Sequence, residues 1–487
     1  MLGTVISSYE GPSPDAFSFV VKENKGIPVR KDQFVTVETE EGLLVARVVN
    51  LRKTNRYFMS AESVRDYSSQ TSMNSIFPID EWEFLVADAL PLGVLSDNMK
   101  RTTFPPSPGS PVNIIDPQVL LKFLGFKLGG VHLGKVEHHE TPAVLDITRL
   151  LQKHMAILAM SGAGKSYLTS VLIEELMLRD KGRLGIVVID PHGEYVGLSE
   201  LGAKIIDGSK ISIPVRELSI HQLSALMPIS AAQRRELNKL LQDLKNSHQN
   251  YNFDTIISAI DSSDMKDNIK NPLIGWLSEL NQTKLFNGYS YPNPTKLMPG
   301  ETWVIDLSPI TNFRMKQIVV SYLANRLFYL RKEQRIPPFT VVVEEAHNFI
   351  PQTGSEENTL ARSTLIKIAR EGRKFHANLC LISQRPVHLS TTALSQCNTH
   401  IILRITNPND LKHIGESSEG ITNETLKSIT SLQVGQALIV GSAVNYPVFI
   451  KVKEKKTKSP HEKTLEEAAV EFEQNNEQLN KDSEAFV

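Results

Sequence analysis

Cysteine is nearly absent from this chain: Cys380 and Cys397 are the two in 487 residues. That excludes a disulfide framework and a cysteine-built zinc cluster. None of the 13 histidines forms an HExxH pair. The adjacent pair His138-His139 falls in a polar stretch expected to face solvent. Excess charge of either sign is missing too, since 53 Lys and Arg meet 54 Asp and Glu for a formal net charge of -1. A globally basic nucleic-acid coat is thereby excluded, although a locally basic channel is not. No apolar run approaches the roughly 18 residues of a membrane span, and the N-terminus lacks the basic-then-apolar pattern of a secretion signal. The expectation is a cytoplasmic protein of several domains with ordinary globular proportions, 41% hydrophobic and 22% charged.

The first hundred residues read as β. Phe17–Val21, Gln33–Val37, Leu43–Val49 and Glu83–Ala87 are short runs rich in β-branched and aromatic residues. Turn clusters such as Gly11-Pro12-Ser13-Pro14 and Glu40-Glu41-Gly42 separate them. A small N-terminal β-barrel over 1–100 is the economical way to close their edges. A Pro-rich linker is expected over 101–127, where Pro105, Pro106, Pro108 and Pro111 oppose regular structure. From 128 to 458 the pattern becomes α/β. Met155–Ala159, Ile186–Asp190, Thr302–Leu307, Thr340–Glu344, Leu379–Ser383 and His400–Ile405 are continuous apolar runs. Such runs fit strands of a mostly parallel sheet buried on both faces. Cys380 accordingly packs in an interior. Between 215 and 290 the strand signal stops and helical spacing takes over, which suggests a helical insertion. The tail, 459–487, is polar and is expected to be a short helix with a disordered end.

The segment Ala159-Met160-Ser161-Gly162-Ala163-Gly164-Lys165-Ser166 has the spacing of a phosphate-binding loop, with Ala159 where Gly is commoner. Gly162 and Gly164 let backbone amides, with those of Ser161 and Ala163, ring a phosphate without Cβ clashes. Lys165 supplies a point charge to the β- and γ-phosphates of ATP, and Ser166 a hydroxyl for Mg²⁺. The helix opening there, which begins with Tyr167, aims its N-terminus at the same anion. Tyr167 is therefore grouped with the nucleotide-binding residues.

A second strand, Thr340–Val343, runs into two carboxylates, Glu344 and Glu345. Beside a phosphate loop, Glu344 would hold Mg²⁺ and Glu345 would polarise the attacking water. The pleat of a strand end is expected to point them in different directions. Asp190 and Glu194 follow another buried strand, where they could orient water or Mg²⁺ or cap the next turn. Gln384 closes the strand expected beside the glutamates, as a γ-phosphate sensor or a satisfied strand-end amide. Arg370 and Arg373 stand three apart on one helix face, as arginine fingers for a neighbouring subunit or as surface cations paired with Glu371.

Taken in order, Ser161–Ser166, Ile189–Tyr195, Val342–Asn348, Ala369–Phe375, Ile382–Pro386, Leu394–Thr399 and Leu403–Asp410 resemble the motifs of the HerA family of hexameric DNA translocases. The resemblance runs through nearly the whole α/β part. It implies a RecA-like P-loop motor domain behind a β-barrel, assembled as a homo-hexamer with ATP sites between subunits and duplex DNA in a central pore. It also implies a NurA-type nuclease partner and a role in processing DNA double-strand ends. By position, Lys165 and Ser166 are the phosphate-loop residues, Glu345 the catalytic base, Gln384 the sensor and Arg370 the trans-acting arginine. Arg314, Lys316, Arg362 and Lys367 are candidate pore cations or plain surface charges. The basic stretch 451–458 is open to packing on a neighbouring subunit or on DNA. Two other readings remain: a secretion or conjugation ATPase, and an ATP-controlled DNA clamp that does not translocate.

Overall fold

The computed structural model describes the chain apart from residues 8–10, 23–27, 56–57, 59–82, 97–98, 219, 248–250, 284, 354–358, 419, 459–465, 468 and 474–487. The expected disordered end of the tail lies largely outside the described residues. Two compact units emerge, one from 1–146 with 436–452, the other from 147–435 with 453–487.

In the first unit, β1 (Gly3–Ile6), β2 (Phe17–Val21), β3 (Phe34–Thr39), β4 (Gly42–Asn55), β5 (Glu83–Leu95) and β6 (Pro111–Ile114) form an antiparallel barrel. Its order is β2-β1-β6-β3-β4-β5, closed by pairing of β2 with β5. Alternation sends Phe19, Val35, Val37, Leu44, Ala46, Val48 and Ala87 to a common core. The Glu40-Glu41 loop joins β3 to β4 as a hairpin with Thr39 opposite Gly42. Register shifts between Val45 and Ala46 and between Val48 and Asn50 bend the long β4–β5 pair.

The segment expected as a linker departs from that reading. Residues 111–114 supply β6, which pairs with β1 and β3 and buries Val112 completely. Pro111 is tolerated because it opens the strand, where its missing donor costs little. Helix α1 (Pro117–Leu124) follows, capped by the Asp116 side chain. The unit also holds β7 (Val131–Val136) and β8 (Pro142–Leu145), antiparallel to each other, with β7 beside the strand Val448–Val452. The turn before that strand is locked to α1 and β5, as the Tyr446 ring stacks 4.7 Å from Phe123 and its hydroxyl donates to Leu92 O at 2.6 Å. Of the pair His138-His139, His138 is exposed as expected, whereas His139 is half-buried. Its Nε2 accepts the Phe34 amide at 3.0 Å, and burial pushes its pKa down to about 4.

In the second unit, seven strands run parallel: β9 (Met155–Leu158), β10 (Gly185–Asp190), β11 (Lys204–Asp207), β12 (Thr302–Asp306), β13 (Phe339–Val343), β14 (Ala377–Ser383) and β15 (Thr399–Ile402). Their order is β11-β12-β10-β13-β14-β9-β15. The strand carrying the phosphate loop is thus separated from the glutamate strand by β14 alone. Helix α2 (Lys165–Met177) follows β9 and is buried on nearly every side. Helices α3 (Ile220–Leu226), α4 (Ala231–Asn246), α5 (Phe253–Asp261) and α6 (Asp267–Gln282) occupy the span between β11 and β12, where the insertion was expected. Helix α7 (Phe313–Lys332) packs against α8 (Leu360–Glu371). Among the described residues, no helix is long and apolar enough to cross a membrane.

His154 and His400 are buried in this unit, and burial lowers each pKa to about 4. His154 Nδ1 accepts the Leu379 amide at 3.0 Å, which a protonated ring could not do. Unfolded histidine takes up protons below 6.5, whereas these rings resist until about 4. Their contribution is complete above pH 6.5 and is lost as pH falls towards 4, on the order of 3 kcal/mol each. His154→Asn, which keeps an acceptor and suits the left-handed backbone there (φ 59°), is expected to soften the loss of stability between pH 6.5 and 4. Urea titrations at stepped pH read this directly, and equal slopes for parent and variant would contradict it.

Candidate active site

The phosphate loop, Asp190, Glu344-Glu345 and Gln384 all leave the carboxyl ends of neighbouring parallel strands, where α/β sheets place their ligand crevice. Gly162 (φ 75°) and Gly164 (φ 93°) adopt the left-handed backbone that L side chains avoid. Gly164 is followed directly by the first turn of α2. The amides of that turn, with those of Ser161, Gly162 and Gly164, are placed to cradle an anion, while the Ala163 amide donates to Met160 O at 3.3 Å.

Lys165 is buried, and its Nζ lies between the two glutamates: it donates to Glu344 Oε1 and, at 2.9 Å, to Glu345 Oε1. The expectation that the two carboxylates diverge therefore does not hold. Strand β13 ends at Val343, and Glu345 takes a left-handed conformation (φ 49°, ψ 47°). The pleat rule has no force beyond the strand, so both side chains converge on one cation. Such a conformation costs roughly 1–2 kcal/mol outside glycine and is typically retained at functional sites.

The two carboxylates have different surroundings. Glu344 is fully buried, and its Oε2 accepts the Tyr195 hydroxyl at 2.6 Å. Burial raises its pKa to about 7, against the opposing pull of Lys165. Burial would also raise Glu345, but the Lys165 charge and hydrogen bond, His347 and Gln384 outweigh it and hold that carboxyl below the usual range. Gln384 Nε2 donates to Glu345 Oε1. Glu345 Oε2 lies 3.2 Å from His347 Nδ1, whose ring also touches Ser383 Oγ at 3.1 Å. Two adjacent glutamates thus differ in proton affinity, which is how one site separates a charged acceptor from its neighbour.

Ser166 Oγ donates to Glu194 Oε2, which brings Glu194 to the loop. Asp190 does otherwise. Its Oδ1 accepts the amides of His192 (3.2 Å) and Gly193 (2.8 Å), and Oδ2 that of Tyr195 (2.9 Å). Of the two roles open to it, the structure favours the turn cap. Tyr167 points to the chain's own C-terminal part: its hydroxyl accepts the Lys455 amide at 2.9 Å, and Lys455 Nζ lies 5.7 Å over the ring.

The basic stretch after Val452 lies on α2 of its own chain. Lys453 pairs with Glu175. The buried Glu174 accepts the amides of Lys456 (2.8 Å) and Thr457 (2.9 Å) and the Thr457 hydroxyl (2.6 Å). A carboxylate inside an apolar helix is the sequence signal for such a partner, although nothing in sequence names it. Glu174→Ala is expected to cost about 2–3 kcal/mol through lost charge-assisted bonds. It should also speed hydrogen exchange at Lys456 and Thr457, and unchanged exchange there would remove Glu174 as the anchor.

Arg370 and Arg373 are exposed, on the last turn of α8 and the turn after it. Of the candidate pore cations, Lys316 donates to Pro191 O at 3.0 Å beside Asp190 and Asp306, and burial lowers its pKa. Arg314 and Arg362 are half-buried. Lys367 alone of the four is exposed, at a cleft of about 370 Å³ with Gln222 and Asn325. Tyr195 and His347 had no assigned role from sequence, because their contacts depend on the fold of two loops.

A phosphate loop, an acidic strand end and a polar strand end between them define a P-loop ATPase of the RecA-like kind. In agreement, VirB4 of Thermoanaerobacter pseudethanolicus shares the fold, with a TM-score of 0.54 at 15% identity over 67% of this chain and 97% of that one. Residues 131–327 match the family described as "Helicase HerA, central domain". A probable helicase of Methanocaldococcus jannaschii is 31% identical over 73% of this chain and 72% of its own. A protein of Pyrococcus furiosus named DNA double-strand break repair helicase HerA is 28% identical over 89% and 90%. The chain belongs to the HerA helicase family.

Proposed function

We propose that this protein is an ATP-hydrolysing duplex-DNA translocase that works as a homo-hexamer with a NurA-type nuclease at DNA double-strand ends. Relatives named as double-strand break repair helicases support the setting. The observation that carries the chemistry is the convergence of Lys165, Glu344, Glu345 and Gln384 at the carboxyl ends of β9, β13 and β14. The Ser166 hydroxyl with the Glu344 and Glu194 carboxylates is an all-oxygen donor set that suits Mg²⁺, which would neutralise charge on the β- and γ-phosphates.

In this reading the loop amides hold the phosphates. Lys165, a point charge on a flexible stem, exchanges the glutamates for the γ-phosphate. That releases Glu345, already biased towards its ionised form, to take the proton of the attacking water. Gln384 reports the change because it shares Glu345 Oε1 with Lys165. Arg370 of one subunit completes the site of the next.

The test is ATP turnover by the purified chain with and without linear duplex DNA, paired with displacement of a third strand from the same duplex. Turnover that rises with duplex, and displacement that needs ATP, are expected. DNA-stimulated turnover without displacement would favour the clamp. Turnover indifferent to DNA, with the nuclease present or absent, would favour the secretion-type motor.

A further inference from the structure

Arg370 and Arg373 flank one carboxylate, Glu371, within a few residues. Glu371 is the natural quencher of both, since a salt bridge to either would occupy the guanidinium in its own subunit. The structure commits it elsewhere. Lys332, the last residue of α7, places Nζ 3.2 Å from Glu371 Oε2. The same ammonium sits 5.1 Å over the Phe328 ring and 4.9 Å over the Phe375 ring, which meet edge to face at 5.8 Å. Phe375 ends the turn that carries Arg373. The neighbouring Arg331 fastens that turn through Nε to Phe375 O (2.8 Å), while its Nη1 holds Ile336 O (3.0 Å). Gly372 seals the bend, as a Cβ there would lie 2.2 Å from Ala377 O.

We propose that Lys332 is a positioning residue for the trans-acting arginine: it clamps the 372–375 turn through two rings and holds Glu371 away from Arg370 and Arg373. This rests on the reading of Arg370 given above and adds to it the group that keeps that arginine available. Cation–π contacts favour a fixed height of the ammonium over the rings, and the salt bridge fixes its direction. An ammonium held both ways is a better brace than an exposed ion pair alone, which contributes little.

The experiment compares steady-state ATP turnover of the full chain carrying Lys332→Met, Lys332→Arg, Glu371→Gln and the double change Lys332→Met/Glu371→Gln. Methionine keeps the packing on Phe328 and Phe375 and removes the charge. Lys332→Met is expected to lower kcat about tenfold, a fraction of what loss of an arginine finger costs, with KM for ATP unchanged. Lys332→Arg should retain the parent kcat, and Glu371→Gln in the Lys332→Met background should restore most of it. A parent-like kcat in Lys332→Met overturns the proposal, as does a double variant as slow as the single one. Arg370→Ala, run alongside, separates the two claims. If it turns over at the parent rate, the trans-acting reading fails and Lys332 has nothing to position. If it is inactive while Lys332→Met turns over at the parent rate, only the role of Lys332 fails.

Discussion

Glu345→Gln is expected to lower ATP turnover at least ~10²-fold while nucleotide binding stays within a few-fold of the parent, because a general base contributes about 10²–10⁴. The carboxylate has the geometry of a base held in waiting. One oxygen is shared by Lys165 and Gln384. The other, Oε2, is buried, has no hydrogen-bond partner among the described residues and lies 3.2 Å from His347 Nδ1. Glutamine preserves the volume and one acceptor for Lys165 but has no proton affinity to offer. Lys165 retains the Glu344 carboxylate, so its charge stays compensated and the fold survives. Binding of a fluorescent ATP analogue and single-turnover hydrolysis separate the two effects. Turnover of Glu345→Gln within tenfold of the parent would move the base to another group, with Glu344 the first to examine.

The contrast between Glu344 and Glu345 also marks where sequence stops informing structure. The buried parallel strands were legible because apolar runs such as Ile186–Ile189 and Val341–Val343 leave no polar face for water. The order of their ends followed from the motifs, so the phosphate loop, the glutamates and Gln384 could be placed together beforehand. Their mutual geometry could not. Nothing about a glutamate announces a left-handed backbone at Glu345, where both carboxylates meet Lys165. Strand β6 was hidden for a related reason: its four residues sit behind a proline run that outweighs them locally, and their value lies in closing a barrel. Asp190 was legible as an acid at a strand end with both roles open, cap or metal ligand, since an Asx-type turn and a metal ligand look alike in one dimension. The strap from Lys453 to Lys458 depends on Glu174, 282 and 283 positions from the amides it receives.

Arg370→Ala and Lys165→Ala are each expected to abolish turnover, and mixing the two is expected to restore part of it. Loss of an arginine finger costs about 10³–10⁵ in rate. Loss of Lys165 removes the proposed phosphate contact and also leaves two buried carboxylates facing each other without their shared cation. If the arginine acts within its own subunit, every site in a mixed ring carries one defect, and the mixture stays dead. If it acts across the interface, the heterologous contact of a ring places an intact phosphate loop from an Arg370→Ala subunit beside an intact Arg370 from a Lys165→Ala subunit. At equal proportions about a quarter of interfaces are then whole. The exposure of Arg370 on the final turn of α8, and its absence from the Lys332–Glu371 pair beside it, are what a group reaching out of its own subunit requires. Recovery should follow the product of the two subunit fractions and peak at the equal mixture. A mixture with no activity at any ratio, from subunits that demonstrably exchange, would place the arginine in cis or outside the chemistry.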